Sequence, residues 1–223
     1  MLSILRHIAN ESLDLTVAAG EQRSLVLLSP QNLTLHVKQL RDSEFTLHLI
    51  SLSDADSAIR ITVEQNEPGC ETSLNGLALT RGQQVIDVET HVLHNVGHGT
   101  SRQLFKNVLA DSSRAFFYGE LKVQPDAQKT EAYQTNRNIL LSPTAQVRTR
   151  PQLEIYADDV HASHGATTGQ LDPNALFYLQ QRGLPLNEAR RLLLQAFLQE
   201  VIDTLPDDDL REEIQQQINK RLD

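Results

Sequence analysis

The chain has 223 residues, 39% of them hydrophobic and 22% charged, enough for one or two domains with a substantial buried core. A formal net charge of −9, with Lys and Arg scattered rather than clustered, argues against nucleic acid or an anionic membrane as the main partner. Cys70 is the one cysteine, so no intrachain disulfide can form; with no apolar export segment and no membrane-length run, a reducing, cytoplasmic setting is expected.

From about residue 13 to residue 165 the pattern alternates with period two. Leu33, Leu35 and Val37 alternate with Thr34 and His36, and Phe45, Leu47 and Leu49 with Thr46 and His48. Ile59, Ile61 and Val63 repeat the pattern, and Val85, Asp87, Glu89 and His91 face opposite to Ile86, Val88 and Thr90. Such segments predict strands with one buried face. They return about every 12 to 14 residues, too often for a small mixed fold.

Two all-β architectures fit this rhythm, an antiparallel sandwich and a parallel β-helix. Asn75-Gly76 is a good hairpin dipeptide and favours the sandwich. Most other connections lack tight-turn dipeptides, Trp is absent and aromatics are 4% of the chain, which tells against a sandwich built around large rings. Gln128, Thr130, Gln134, Asn136 and Asn138 are polar residues able to stack between rungs. No fixed numerical repeat is readable, and periodicity leaves both architectures open.

After Gly169 the period becomes helical. Asp172 as N-cap and Pro173 at the first position start a helix that runs to Arg182 and stops at Gly183. Asn187 is placed to cap a second helix to about Asp203, with Ala189, Leu192, Leu193, Ala196, Phe197 and Val201 in a stripe. Pro206 and the acidic Asp207–Asp209 open a third, striped by Leu210, Ile214, Ile218 and Leu222. The expected organisation is a β core over residues 1–169 and a helical region over 170–223.

Few residues group into recognisable chemistry. His91, His94 and His98 have a tempting spacing, but on a strand His91 and His94 point to opposite faces, and structural zinc needs four ligands. Cys70 follows Glu67-Pro68-Gly69, an acidic turn that raises rather than lowers a thiol pKa. Asp158 and Asp159 are neighbours on an extended segment and do not form a dyad. No phosphate-binding G-x-x-x-x-G-K-[ST] loop occurs, so the chain is not itself an ATPase of that type.

Residues 127–142 (AQKTEAYQTNRNILLS) and 153–183 (LEIYADDVHASHGATTGQLDPNALFYLQQRG) together resemble the SufB/SufD family of scaffold subunits in iron–sulfur cluster assembly, and SHGATTGQLD is similar to its D-type members. Residues 94–111 are similar to a family segment with Gly97 in place of a proline and Asn107 in place of a glycine. The resemblance covers about residues 85–205, while residues 1–84 match in style only. It implies a right-handed parallel β-helix followed by a small C-terminal α-helical region. It also implies a non-enzymatic scaffold that pairs with a B-type paralogue and an ABC-type ATPase, and a homodimer when isolated. No cofactor is expected to bind the isolated chain tightly, with an iron–sulfur cluster arising in the complex.

The resemblance singles out His164, in a compact turn at Ser163–Thr167, as a metal ligand at the subunit contact. Ala162 stands where D-type members commonly have cysteine, and His161 precedes it. It assigns ATPase docking to the helical region, where Phe177, Tyr178, Arg182, Leu193 and Phe197 have the composition of an interface. Family members carry a helical region before the β-helix, and none is readable here. Two rival readings are a β-helix polysaccharide lyase or hydrolase, opposed by the absence of Trp and of an export signal, and the B-type paralogue, opposed by SHGATTGQ and the dearth of cysteines.

Overall fold

The alternating segments coil instead of folding back on one another. The computed structural model describes residues 1–222, in which the strands alternate between two sheets and every pairing is parallel. The odd sheet stacks β1 (Leu2–Arg6), β3 (Gln22–Leu28), β5 (Glu44–Ser51), β7 (Glu71–Thr80), β9 (Thr100–Leu109), β11 (Thr130–Leu140) and β13 (Val160–Gly169). The even sheet stacks β2 (Glu11–Val17), β4 (Asn32–Gln39), β6 (Ser57–Gln65), β8 (Val85–His94), β10 (Arg114–Val123) and β12 (Gln146–Ile155). This is a parallel β-solenoid, and the sandwich alternative is excluded. Inward side chains from both sheets meet in one core, which is why period two persists through the chain.

The rungs lengthen along the axis. Stacked corner residues are 22 apart at Asn10 and Asn32, 29 apart at Asn66 and Asn95, and 31 apart at Asp111 and Ser142. Strands grow from 5 residues in β1 to 11 in β11. A repeat whose length drifts has no fixed period, so none was readable. The corners nevertheless stack through a shared backbone device. Gly20, Asp42, Gly69, His98 and Lys129 all have positive φ, between 55° and 78°. The amide of Asp42 donates to Pro68 O at 3.0 Å, and that of His98 to Gln128 O at 2.9 Å.

Aliphatic side chains such as Leu27, Leu35, Leu47, Ile59 and Ile61 fill the narrow end. Phe105 and Phe117 mark the wider part, their ring centroids 4.9 Å apart. Asn75-Gly76 is not a hairpin. Both residues lie inside β7, with Gly76 in register with Phe105, and a Cβ at Gly76 would collide with that ring. The glycine makes room for an aromatic side chain, a demand that a turn dipeptide and a packing dipeptide share in sequence. The expected turn at Ser163–Thr167 is likewise absent, because β13 pairs with β11 through the whole segment.

Three helices follow: α1 (Pro173–Gln181), α2 (Leu186–Ile202) and α3 (Asp208–Leu222). Asp172 caps α1, accepting from Asn174 N at 2.9 Å, and Gly183 leaves it with φ 91°. Asp207 caps α3 by accepting from Leu210 N at 2.9 Å. Asn187 is not the cap: α2 starts two residues earlier than expected, behind Pro185, with no side-chain cap.

α2 and α3 lie on the outer face of the odd sheet. Leu194, Leu198, Val201, Ile202, Ile214 and Ile218 share a second buried cluster with Val26, Leu28, Ile50, Leu77, Leu79 and Val108. Lys106, with only 4% of its side chain exposed, donates to Phe197 O at 2.7 Å and pairs with Glu200 at 2.5 Å. Arg221 donates to Leu79 O at 2.8 Å and Ser53 O at 2.7 Å, and His48 Nε2 donates to Thr204 O at 2.8 Å. The helical residues thus share a core with the solenoid's flank and leave its C-terminal end uncovered.

Candidate functional site at the open end

β12 and β13 are the last strands of their sheets, so both present an unpaired edge at the same end. Gln146 N donates to Ser113 O and Tyr156 N to Val123 O, each at 3.0 Å. In a parallel ladder alternate residues face opposite neighbours, so the even-numbered residues of β12 face β10. The odd-numbered ones, Pro151 among them, face the free edge. Pro151 therefore removes a donor from the edge and nothing from the internal ladder.

His164 lies on β13 in register with Gln134, which is in register with Gln103. Ala132 and Ala162 belong to the inner face of the same strands, and alternation puts Gln134 and His164 on that face too. His164 therefore ends an inward-facing column, Gln103–Gln134–His164. Gln134 is 2% exposed, and neither atom of its amide has a hydrogen-bond partner among the described residues. Gln103 Nε2 and Thr149 Oγ1 are also unpartnered. Room for Gln134 comes from Gly119 on β10, where a Cβ would overlap its Nε2. Four of the stacking polar residues expected from the sequence thus sit inside the wide end, Thr130, Gln134, Asn136 and Asn138, whereas Gln128 lies at the corner before β11, donating to Pro125 O and accepting from Asp159 N. Asn107 donates to Asn138 Oδ1, and Asn138 to Asn136 Oδ1, each at 2.7 Å.

His164 is exposed and makes no side-chain hydrogen bond or ion pair with another described residue. His161 is also on β13, in register with Glu131. Three residues apart on a strand, the two histidines point to opposite faces and cannot converge on one ion. Ala162 packs against the solenoid core. One imidazole is a credible iron ligand but holds neither an ion nor a cluster alone.

The other histidines disperse. His94 is fully buried with Nε2 2.8 Å from Ser101 Oγ, and burial lowers its pKa to about 4. His91 lies on the outer face between Glu120 at 2.7 Å and Glu89 at 2.8 Å. Burial lowers its pKa, but hydrogen bonds to these carboxylates outweigh burial and leave it raised. His98 occupies a corner. Among the described residues no three His, Cys, Asp or Glu side chains gather as a metal site. Cys70 is buried, its thiol contacting Glu67 O at 3.0 Å, and burial pushes its pKa up. Asp158 and Asp159 occupy the exposed turn between β12 and β13.

The helical candidates divide. Phe177 and Tyr178 are 62% and 56% exposed, and the Arg182 guanidinium lies 4.4 Å from the Tyr178 ring centroid. α1 has no buried residue. Leu193 is half-buried, and Phe197 packs on the odd sheet with Lys106 Nζ 4.9 Å from its ring centroid. Phe197 therefore serves the flank, with part of its surface still exposed. Sequence reasoning missed Lys106, whose neighbours Leu104 and Val108 are the signal that its position faces a covered surface. It also missed the edge role of Pro151.

Residues 29–197 match the family model described as SUF system FeS cluster assembly, SufBD core domain. The chain belongs to the SufBD family. It is 34% identical to the iron–sulfur cluster assembly protein SufD of Escherichia coli, over 99% of this chain and 54% of that protein. It is 36% identical to the chloroplastic protein ABCI7 of Arabidopsis thaliana, over 83% of this chain and 39% of that protein. With SufD of Bacillus subtilis the identity is 31%, over 82% and 42%. The chain spans about half the length of these SufBD relatives. The SufBD match begins at residue 29, so the resemblance is not confined to residues 85–205 and takes in β4 to β7 as well. Among the described residues no helix is long and apolar enough to cross a membrane.

Proposed function

We propose that the chain is a D-type scaffold subunit of iron–sulfur cluster assembly, working in the cytoplasm and catalysing no reaction of its own. The observation that carries this reading is the open end of the solenoid, where a SufBD core presents His164 at the mouth of its interior beside two unpaired sheet edges. A B-type paralogue completes that end. The cluster is cargo formed at the boundary, with His164 supplying one ligand and the partner supplying the rest, since Ala162 offers none. In isolation the same edges pair two copies of the chain about a two-fold axis. The ABC-type ATPase docks on α1, through Phe177, Tyr178 and Arg182, with Leu193 at the margin.

Co-purification tests the reading. Tagged chain from its source cell should bring down a B-type paralogue and an ATPase in stable ratio. Recovery of neither, with β12, β13 and α1 intact, rejects it.

A further inference from the structure

The outer face of the even sheet carries its charges in lateral pairs. Arg60 lies 2.5 Å from Glu89, His91 sits between Glu89 and Glu120, and Lys122 is 3.2 Å from Glu154. His36 lies between Asp14 and Glu64 at 3.5 and 3.1 Å. In-register neighbours on adjacent strands are close enough for such pairing.

At one corner the pairing stops. Arg114, Arg148 and Arg150 are exposed, and none forms an ion pair among the described residues. Arg150 only stacks on Tyr118, 5.7 Å from its ring centroid. In register, Arg148 stands beside Phe116 and Arg150 beside Tyr118, with Arg114 two residues before Phe116 on the same face. Phe116 is 36% exposed. An aromatic ring thus sits among three exposed, unpaired guanidinium groups on a chain of net charge −9.

We infer that this corner of β10 and β12 is a docking surface for an acidic protein segment, whose carboxylates meet Arg114, Arg148 and Arg150 while an apolar side chain rests on Phe116. Guanidinium forks match carboxylates in a bidentate way, and an aromatic ring beside arginine is the usual composition of an interface anchor. A single exposed ion pair is weak, so several must act together around the ring. A nucleic acid fits worse. Asp87 is in register with Phe116 on the far side and Glu89 with Tyr118, so a phosphate backbone crossing the patch runs onto carboxylates. A short acidic segment meets the arginines alone. The inference rests on unmatched charge on the sheet's face and not on the iron–sulfur reading, which concerns the open edge.

The test uses the whole chain and a fluorescein-labelled peptide of alternating glutamate and threonine with a central leucine, followed by anisotropy at low and at physiological ionic strength. The wild type should bind, more weakly as salt rises. The variant R114Q/R148Q should bind at least about tenfold more weakly, a change expected when charge-assisted contacts are lost. Phe116→Ser should weaken binding too, and Arg102→Gln, on the odd sheet, should not. All variants should melt as the wild type does. No binding by the wild type, undiminished binding by both patch variants, or tighter binding of a labelled DNA oligonucleotide than of the peptide would overturn the inference.

Discussion

Gly119 on β10 and Gln134 on β11 share one volume: a Cβ on the glycine would overlap the glutamine Nε2. Gln134 is buried, so its amide cannot swing into solvent. Gly119→Ala should therefore destabilise the chain by about 1–3 kcal/mol, the usual cost of overpacking. Adding Gln134→Ala should recover part of that loss, because the two substitutions act on one space. Urea unfolding of both variants decides this; additive effects would mean that the two side chains do not compete.

Lys106 is the charged clamp between the odd sheet and α2. Lys106→Ala removes its bonds to Phe197 O and Glu200 and opens space under α2. Glu200 keeps Arg137 at 3.2 Å and is half exposed, so the loss should be about 1–3 kcal/mol, that of a charge-assisted hydrogen bond. Hydrogen exchange should quicken in α2 before it does in the strands of the interior.

Acid should weaken the fold through His94. Its folded pKa of about 4 lies below the ordinary 6.5, so the neutral form is the one the fold accepts. The stability it contributes is complete above pH 6.5 and falls as pH drops from there through about 4. At 1.36 kcal/mol per unit the full loss is on the order of 3 kcal/mol. His48, lowered by burial under α2 and α3, changes in the same sense. His91 opposes them: its raised pKa gives stability at low pH that is lost as pH rises through the folded value. Urea midpoints at pH 7.5 and 5 should differ less in His94→Gln than in the wild type.

His164→Ala should leave the fold intact, within about 0.5 kcal/mol, since the side chain is exposed and unbonded. Cluster content of the assembled complex should fall. Normal cluster loading would remove His164 from the site, and a lowered melting temperature would make its role structural.

Cutting the chain after Gly169 does not isolate helical docking. Val26, Leu28, Ile50, Leu77, Leu79 and Val108 are covered by α2 and α3, so the cut chain bares an apolar sheet face and should aggregate. The docking test must use Phe177→Ser and Tyr178→Ser on the intact chain, with ATPase binding lost and melting unchanged.

Period-two alternation from Leu33 to Val63 was enough to place strands, because each rung buries one face against the same core. It could not separate coil from sandwich, because that choice lies in the corners, where left-handed Asp42, His98 and Lys129 carry no distinctive sequence signal. The start of α1 was legible from its cap Asp172 and that of α3 from Pro206 and its acidic turn, whereas the N-cap of α2, Pro185, was misplaced by two residues. Where the helices lie was hidden, since Ile50 and Leu79 look like any other strand hydrophobics. His164 was found by resemblance, but its place at the mouth of the interior depends on pairing between β11 and β13, which no local pattern shows.

The drift in rung length has a consequence for folding. A stack of equal rungs can slip by one turn and still satisfy its ladders, the hazard of any uniform solenoid. Here β3, with 7 residues, would lie against β7, with 10, if it slipped one turn to the level of β5. Its corners would then miss their neighbours' amides. The taper keeps the narrow rungs from standing in for the wide ones, so a chain without a fixed repeat winds in one register from its narrow end to its wide one.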